Sequence, residues 1–211
     1  AFILCVSVHE FGHAWVANRL GDPTPRSQGR LTLSPLHHID PIGTILIPLL
    51  SALSPGSLPF MAWGRPVQTN PMAYTRRFSV STGRMFVSLA GPAMNVVMAL
   101  LVSLVIVVGA HLGLSARIQS ALFHYMVSLN LVLMCFNLLP IPPLDGGAVL
   151  AWVLPRSMHG IVDFLQRYGG LILLLLVLSP MAGLPLMGIV MYPMAVVVSL
   201  WHHGLVWAIN L

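Results

Sequence analysis

The sequence predicts an all-α polytopic membrane protein with about 5–6 transmembrane or re-entrant helices and a short β-hairpin or strand after the first helix. Three observations carry that prediction. Hydrophobic residues make up 57% of the 211-residue chain and charged residues only 7%, and mean hydropathy is +0.87, far from soluble globular averages. The apolar residues gather into runs close to the roughly 20 residues that cross a bilayer as a helix. The ten basic residues, all Arg, fall mostly in short segments between those runs. That distribution sets membrane orientation and does not point to nucleic-acid binding.

The elements follow in order. Residues 1–20 form the first apolar run, closed by Gly21, Asp22 and Pro23, which supply a helix stop. The run begins at Ala1 without a Met, so further residues are expected to precede it. Arg30, Leu31, Thr32, Leu33 and Ser34 alternate polar and apolar before Pro35, the pattern of a short strand. Irregular or extended backbone at membrane depth is tolerated where it lines a wet cavity, so a cavity is expected beside it. Residues 41–54 are too short to cross comfortably and run into Pro55, Gly56 and Pro59, as in a re-entrant or tilted segment. Residues 84–110, 119–139, 160–179 and 185–209 are long enough to span.

With the end of the first helix inside, nine of the ten Arg fall on the cytoplasmic side and only Arg117 outside. Cys5 and Cys135 lie in apolar runs without paired spacing and read as buried thiols. No polar run is long enough for a separate soluble domain. Residues 1–211 are therefore expected to form one membrane domain, with a catalytic core at about 1–147 and C-terminal helices at about 148–211.

The stretch CVSVHEFGHAWVANRLGD, residues 5–22, holds the only glutamate in the chain, Glu10, between His9 and His13. H-E-x-x-H on a helix projects the two histidines from one face toward one ion. Glu10 lies roughly 100° around the helix from His9, placed to reach a water on the metal instead of ligating beside the histidines. Zinc lowers the pKa of its water to about 7, and a nearby carboxylate can take the proton and pass it to a leaving amine. A random shuffle of this composition yields roughly 0.002 matches to the motif, and ionisable residues inside a membrane run are functional by default.

Two histidines leave a catalytic zinc short of a third protein ligand. Asp22 and Asp40 flank turns, Asp163 sits near the start of a span, and Asp145 lies in NLLPIPPLDGG, residues 137–147. Asp145 is the preferred choice. Pro140, Pro142 and Pro143 break the helix before it, and Gly146 and Gly147 free the backbone to bring a carboxylate against the metal. An ordinary polar turn at Asp145 and Gly146 remains the alternative.

H-E-F-G-H in an apolar helix followed far downstream by N-L-L-P-I-P-P-L-D-G resembles the site-2 protease family of intramembrane zinc metalloproteases, peptidase family M50. GRLTLSPLHHIDPIGTILIP, residues 29–48, and AGPAMN, residues 90–95, are similar to that family as well. The resemblance implies His9, His13 and Asp145 as ligands of one Zn2+ per chain, with Glu10 as catalytic base. It also implies Asn95 and Asn137 near the substrate or oxyanion, with interhelical hydrogen bonding as the alternative role. The expected activity is hydrolysis of a peptide bond within or near the transmembrane segment of a protein substrate, in a prokaryotic plasma membrane, with the active site toward the cytoplasm. Residues 30–34 would hold an unwound substrate by strand addition or else plug the bundle, and the Pro-rich 55–71 stretch would suit a movable gate. The short His111–Gln119 connection leaves no room for an inserted PDZ-like domain, and a nucleotide-sensing domain after the last span is not expected. The competing class is a metal-ion transporter, which needs ligands but no base, so Glu10 discriminates.

Overall fold

The structure is a computed structural model and describes residues 1–46, 49, 53, 63–75 and 77–210. Six helices of eight residues or more organise the described residues: α1 (Phe2–Arg19), α2 (Val80–His111), α3 (Ala116–Asn137), α4 (Asp145–Val153), α5 (His159–Leu178) and α6 (Leu186–Ile209). α3 is continuous through a π-helical turn at Phe123–Val127. Four helical segments, Val80–His111, Ala116–Asn137, Arg156–Ala182 and Leu186–Ile209, are long and apolar enough to cross a membrane. Among the described residues this corrects the expected count of five or six. α1 has only 18 residues, and its apolar run is interrupted by the polar groups of the H-E-x-x-H motif. Of the 41–54 run, Pro41–Leu46 forms a π-helical turn. Most of its remainder, and residues 55–62 of the Pro-rich stretch expected to gate the site, lie outside the described residues.

Each helix end has a local cause. α1 stops in a Schellman arrangement: Gly21 takes φ 103°, the Gly21 N–H donates to Asn18 O at 3.1 Å, and the Asp22 N–H reaches back to Ala17 O at 3.0 Å. α2 begins at Ser79, whose hydroxyl accepts the Thr82 N–H. α3 ends at Asn137 because the prolines that follow cannot continue the backbone ladder.

The expected strand at Arg30–Ser34 is absent, and no strand occurs among the described residues. Its backbone and side chains are tied up locally. The Arg30 N–H donates to Pro25 O at 2.8 Å, the Ser34 N–H donates to Thr32 Oγ1 at 3.1 Å, and His38 Nε2 donates to Thr32 O at 2.9 Å. Five alternating residues without a partner strand lose to these side-chain and turn hydrogen bonds.

α2 is the hub and packs on α1, α3, α4 and α6. The apolar core lies between its second half, α3 and α6, where Ala99, Ile106, Val127, Leu131 and Leu205 are buried together, and Trp201 Nε1 donates to Ser103 Oγ at 2.9 Å. The outer faces carry exposed Leu100, Leu101, Leu104, Leu174, Leu175 and Leu200, a surface suited to hydrocarbon.

The first half of α2 lies against α1 with almost no gap. A Cβ on Gly12 would sit 2.5 Å from Ala90 O and 2.8 Å from Met94 Cγ, and a Cβ on Gly91 would strike the His13 and His9 rings. The small residues of AGP therefore set the α1–α2 distance. On another side of α1 runs a strap, residues 63–75. Its Arg65 N–H donates to His38 O at 2.9 Å and its Thr75 N–H to Leu20 O at 2.6 Å, while its Asn70 N–H donates to Asp22 Oδ2 at 2.6 Å.

Candidate metal centre

His9 and His13 leave α1 one turn apart on the face turned toward α2, and Asp145 arrives as the first residue of α4. The turn that delivers it is tightly folded: Ile141 N–H donates to Leu139 O at 2.7 Å, and Leu144 N–H donates to Ile141 O at 3.0 Å. A Cβ on Gly146 would run into Leu138 O and Leu139 O. Only glycine lets that chain reversal close, and the reversal carries the carboxylate back to α1.

The three side chains present one donor atom each to a common point. His9 Nε2 and His13 Nε2 are 3.0 Å apart, and Asp145 Oδ2 lies 3.2 Å from the first and 3.4 Å from the second. The side chains are 8%, 12% and 15% exposed for His9, His13 and Asp145. Two or more ligands of a tetrahedral zinc with bonds near 2.0–2.1 Å are about 3.3 Å apart, so this triangle has the size such an ion needs.

Hydrogen bonding behind these side chains decides which way their lone pairs face. Asn95, fully buried, donates from Nδ2 to Cys5 O at 3.3 Å and to Asn130 Oδ1 at 2.8 Å. A backbone carbonyl can only accept, which fixes the Asn95 amide and turns its Oδ1 to His9 Nδ1 at 2.6 Å. His9 Nδ1 therefore carries the proton. Val87 O, 2.7 Å from His13 Nδ1, imposes the same tautomer on His13. Both Nε2 atoms then face each other with lone pairs and no proton between them, and the buried Asp145 Oδ2 beside them has no hydrogen-bond partner. Three acceptors converging in a nearly dry site repel one another unless a cation joins them. The donor set and its spacing fit zinc.

Glu10, half-buried, reaches the strap, where its Oε2 accepts the Val67 N–H at 2.8 Å. Among the described residues its Oε1 has no hydrogen bond. The remaining acids have other work. Asp22, fully buried, accepts the Thr24 N–H and the Asn70 N–H and so ties the end of α1 to the strap. Asp40 accepts the Ile42 and Gly43 N–H groups. Asp163 lines a cavity of about 880 Å³ between α2, α4 and α5. Asn137 donates from Nδ2 to Leu133 O, one turn back in its own helix, at 3.0 Å.

Asn130 was not singled out in the sequence. It is fully buried, donates to Met126 O at 2.8 Å and to Cys5 Sγ at 3.2 Å, and so orients the amide it offers to Asn95. The available signal was an amide inside an apolar run, SLNLVLM, the kind of residue that rarely enters a membrane helix without a partner. Val87 had no such signal, because it acts through its backbone carbonyl.

The profile of peptidase family M50 matches residues 107–177, which include Asp145 but not the H-E-x-x-H motif. The Bacillus subtilis protein named "Putative zinc metalloprotease YwhC" is 35% identical over 188 residues, covering 86% of this chain and 80% of its own length. The chain belongs to peptidase family M50. It is a membrane metalloprotease, as the family and the apolar helices together require. Two further family members, both carrying the same form of name with Rip2, come from Mycolicibacterium smegmatis and Mycobacterium tuberculosis. They are 32% and 31% identical over 187 and 183 residues, 85% of this chain and 65% of their own lengths in each case. No solved structure matches the chain.

Proposed function

We propose that this M50 protein is an intramembrane zinc endopeptidase that cuts a peptide bond within or near the transmembrane segment of a membrane-protein substrate. His9, His13 and Asp145 hold one Zn2+ per chain, and Glu10 is the general base. The observation that carries the reading is the convergence of His9 Nε2, His13 Nε2 and Asp145 Oδ2 within 3.0 to 3.4 Å of one another, with both imidazole protons pinned on the far side.

Zinc, when bound, supplies a Lewis acid that polarises a carbonyl and brings the pKa of a coordinated water to about 7. The protein's own groups do the rest. Asn95 Oδ1 and Val87 O keep the imidazole protons at Nδ1, which holds the Nε2 lone pairs on the site. Glu10 is anchored by the Val67 N–H at Oε2, so Oε1 is the atom that takes a proton and returns it to the leaving amine. Asn95 is a positioning residue in this reading, since its amide is committed to Cys5, Asn130 and His9. Asn137 keeps a carbonyl oxygen and one N–H for substrate. The 30–34 segment supports substrate contact through Leu33, exposed on its turn, without strand addition. The whole of 1–211 acts as one domain, in a prokaryotic plasma membrane with the site toward the cytoplasm, a sidedness supported by the Arg distribution.

The experiment is Glu10→Gln in purified full chain, with zinc content and cleavage of a membrane substrate measured together. The expected result is full zinc and no cleavage. A variant that holds zinc and still cuts overturns the mechanism, and wild type that holds zinc but cuts nothing favours a metal-binding or transport role.

A further inference from the structure

The segment after α1 and the strap border an open surface cavity of about 470 Å³ lined by Gln28, Arg30, Leu36, His37, Arg65 and Gln68. Its charge has one sign. Arg30 is only 5% exposed and gives its guanidinium to His37 O, while the Arg65 N–H donates to the next carbonyl, His38 O, at 2.9 Å. The Arg30 guanidinium and the Arg65 backbone are thus held on consecutive peptide units, with the Arg65 side chain exposed at the pocket. Burial and then the charge of Arg65 both push the Arg30 pKa below its ordinary value, with the Glu10 carboxylate acting the other way.

Every carboxylate side chain in the chain can be accounted for elsewhere. Asp22 and Asp40 are spent on backbone N–H groups, Glu10 on Val67, Asp145 on the histidine pair, and Asp163 on a different cavity. None pairs with Arg30 or Arg65 among the described residues, and the undescribed residues contain no Asp or Glu. Arg30 is buried with only the Glu10 carboxylate, itself anchored to the strap, to offset its charge, and a bound oxyanion between Arg30 and the exposed Arg65 lowers the cost of bringing the two cations together. Guanidinium forks match the oxygens of phosphate, and the side chains of Gln28, Gln68 and His37 add neutral donors.

The apolar surroundings select the source of that oxyanion. Leu36, which lines the cavity, is 78% exposed, and Leu33, Ile42 and Ile45 of the same segment are exposed as well. A basic pocket edged by exposed aliphatic side chains in a membrane protein suits a headgroup with its acyl chains alongside. We propose that the Arg30–Arg65 pocket binds a phosphate group, delivered by an acidic phospholipid. The pocket adjoins the 30–34 segment, but the phosphate proposal stands whether or not the protease mechanism holds.

The test uses full-length chain in nanodiscs of neutral phosphatidylcholine, titrated with phosphatidylglycerol in one arm and inorganic phosphate in the other. Thermal unfolding and the lipid retained in native mass spectrometry are the readouts. Phosphatidylglycerol is expected to raise the unfolding midpoint and to be retained. Arg65→Gln is expected to weaken both by about tenfold in apparent affinity, while Arg26→Gln, which removes the same charge from an exposed position nearby, leaves them unchanged. A shift reproduced by inorganic phosphate in neutral discs supports the phosphate chemistry and assigns a free ion as its source. No shift in either arm, or equal losses in the Arg65 and Arg26 variants, overturns the proposal.

Discussion

Replacing Asn95 tests the tautomer argument at its root. Asn95→Ala removes three hydrogen bonds from a fully buried site: 2.6 Å to His9 Nδ1, 2.8 Å to Asn130 Oδ1 and 3.3 Å to Cys5 O. Each orphaned buried group costs about 1–3 kcal/mol, so folding suffers. The sharper effect is on the metal. His9 loses the acceptor that keeps its proton on Nδ1, and removal of such a partner typically weakens metal binding about 10–100-fold. Asn95→Asp separates the two effects. Its carboxylate still accepts from His9 Nδ1, but it sets a second acceptor against Asn130 Oδ1 and Cys5 O. Zinc affinity is therefore expected to fall in the alanine variant and largely to recover in the aspartate variant, while both lose stability. Competition with a chromogenic chelator gives the affinities, and thermal unfolding gives the stabilities. If Asn95→Ala binds zinc like wild type and only cleavage falls, Asn95 acts on the substrate or oxyanion and the positioning argument is refuted.

Other outcomes follow from the same geometry. Asp145→Ala removes one of the three converging donor atoms and leaves two facing lone pairs; zinc stoichiometry is expected to drop well below that of wild type, and unchanged stoichiometry would take Asp145 out of the site. Gly91→Ala places a methyl group against the His9 and His13 rings, so zinc and activity are expected to be lost together even though no ligand has changed. Asp22→Ala frees the Thr24 and Asn70 N–H groups at a cost of about 1–3 kcal/mol. Faster hydrogen exchange in residues 67–75 with zinc content intact is the expected signature; loss of zinc would mean that the strap supports the metal site directly. Asn130→Leu breaks the link that orients Asn95 and is expected to weaken zinc binding less than Asn95→Ala, measured by the same chelator competition.

The helices were legible because their cause is local. Apolar runs at 84–110, 119–139, 160–179 and 185–209 became Val80–His111, Ala116–Asn137, His159–Leu178 and Leu186–Ile209, with stops at glycine and proline. H-E-x-x-H was legible for the same reason, since i and i+4 share a helix face in any context. The Arg30–Ser34 alternation misled because a strand exists only with a partner, and none is available in that segment; Pro25, Thr32 and His38 take the hydrogen bonds instead.

By itself the sequence determined that the chain belongs in a bilayer, where its four long apolar helices lie to within a few residues, and that His9, Glu10 and His13 lie on adjacent faces of one turn. Tertiary structure alone decided how closely Asp145, the aspartate preferred from the sequence, approaches the histidines, that Asn95 and Val87 hold their protons away from the site, and that Asn130 stands behind Asn95. The division has a physical reason. Hydrophobic periodicity and backbone stops act between residues a few positions apart, whereas a ligand set depends on how closely two helices approach, and here Gly12, Gly91 and Gly146 set that approach across more than a hundred residues of sequence.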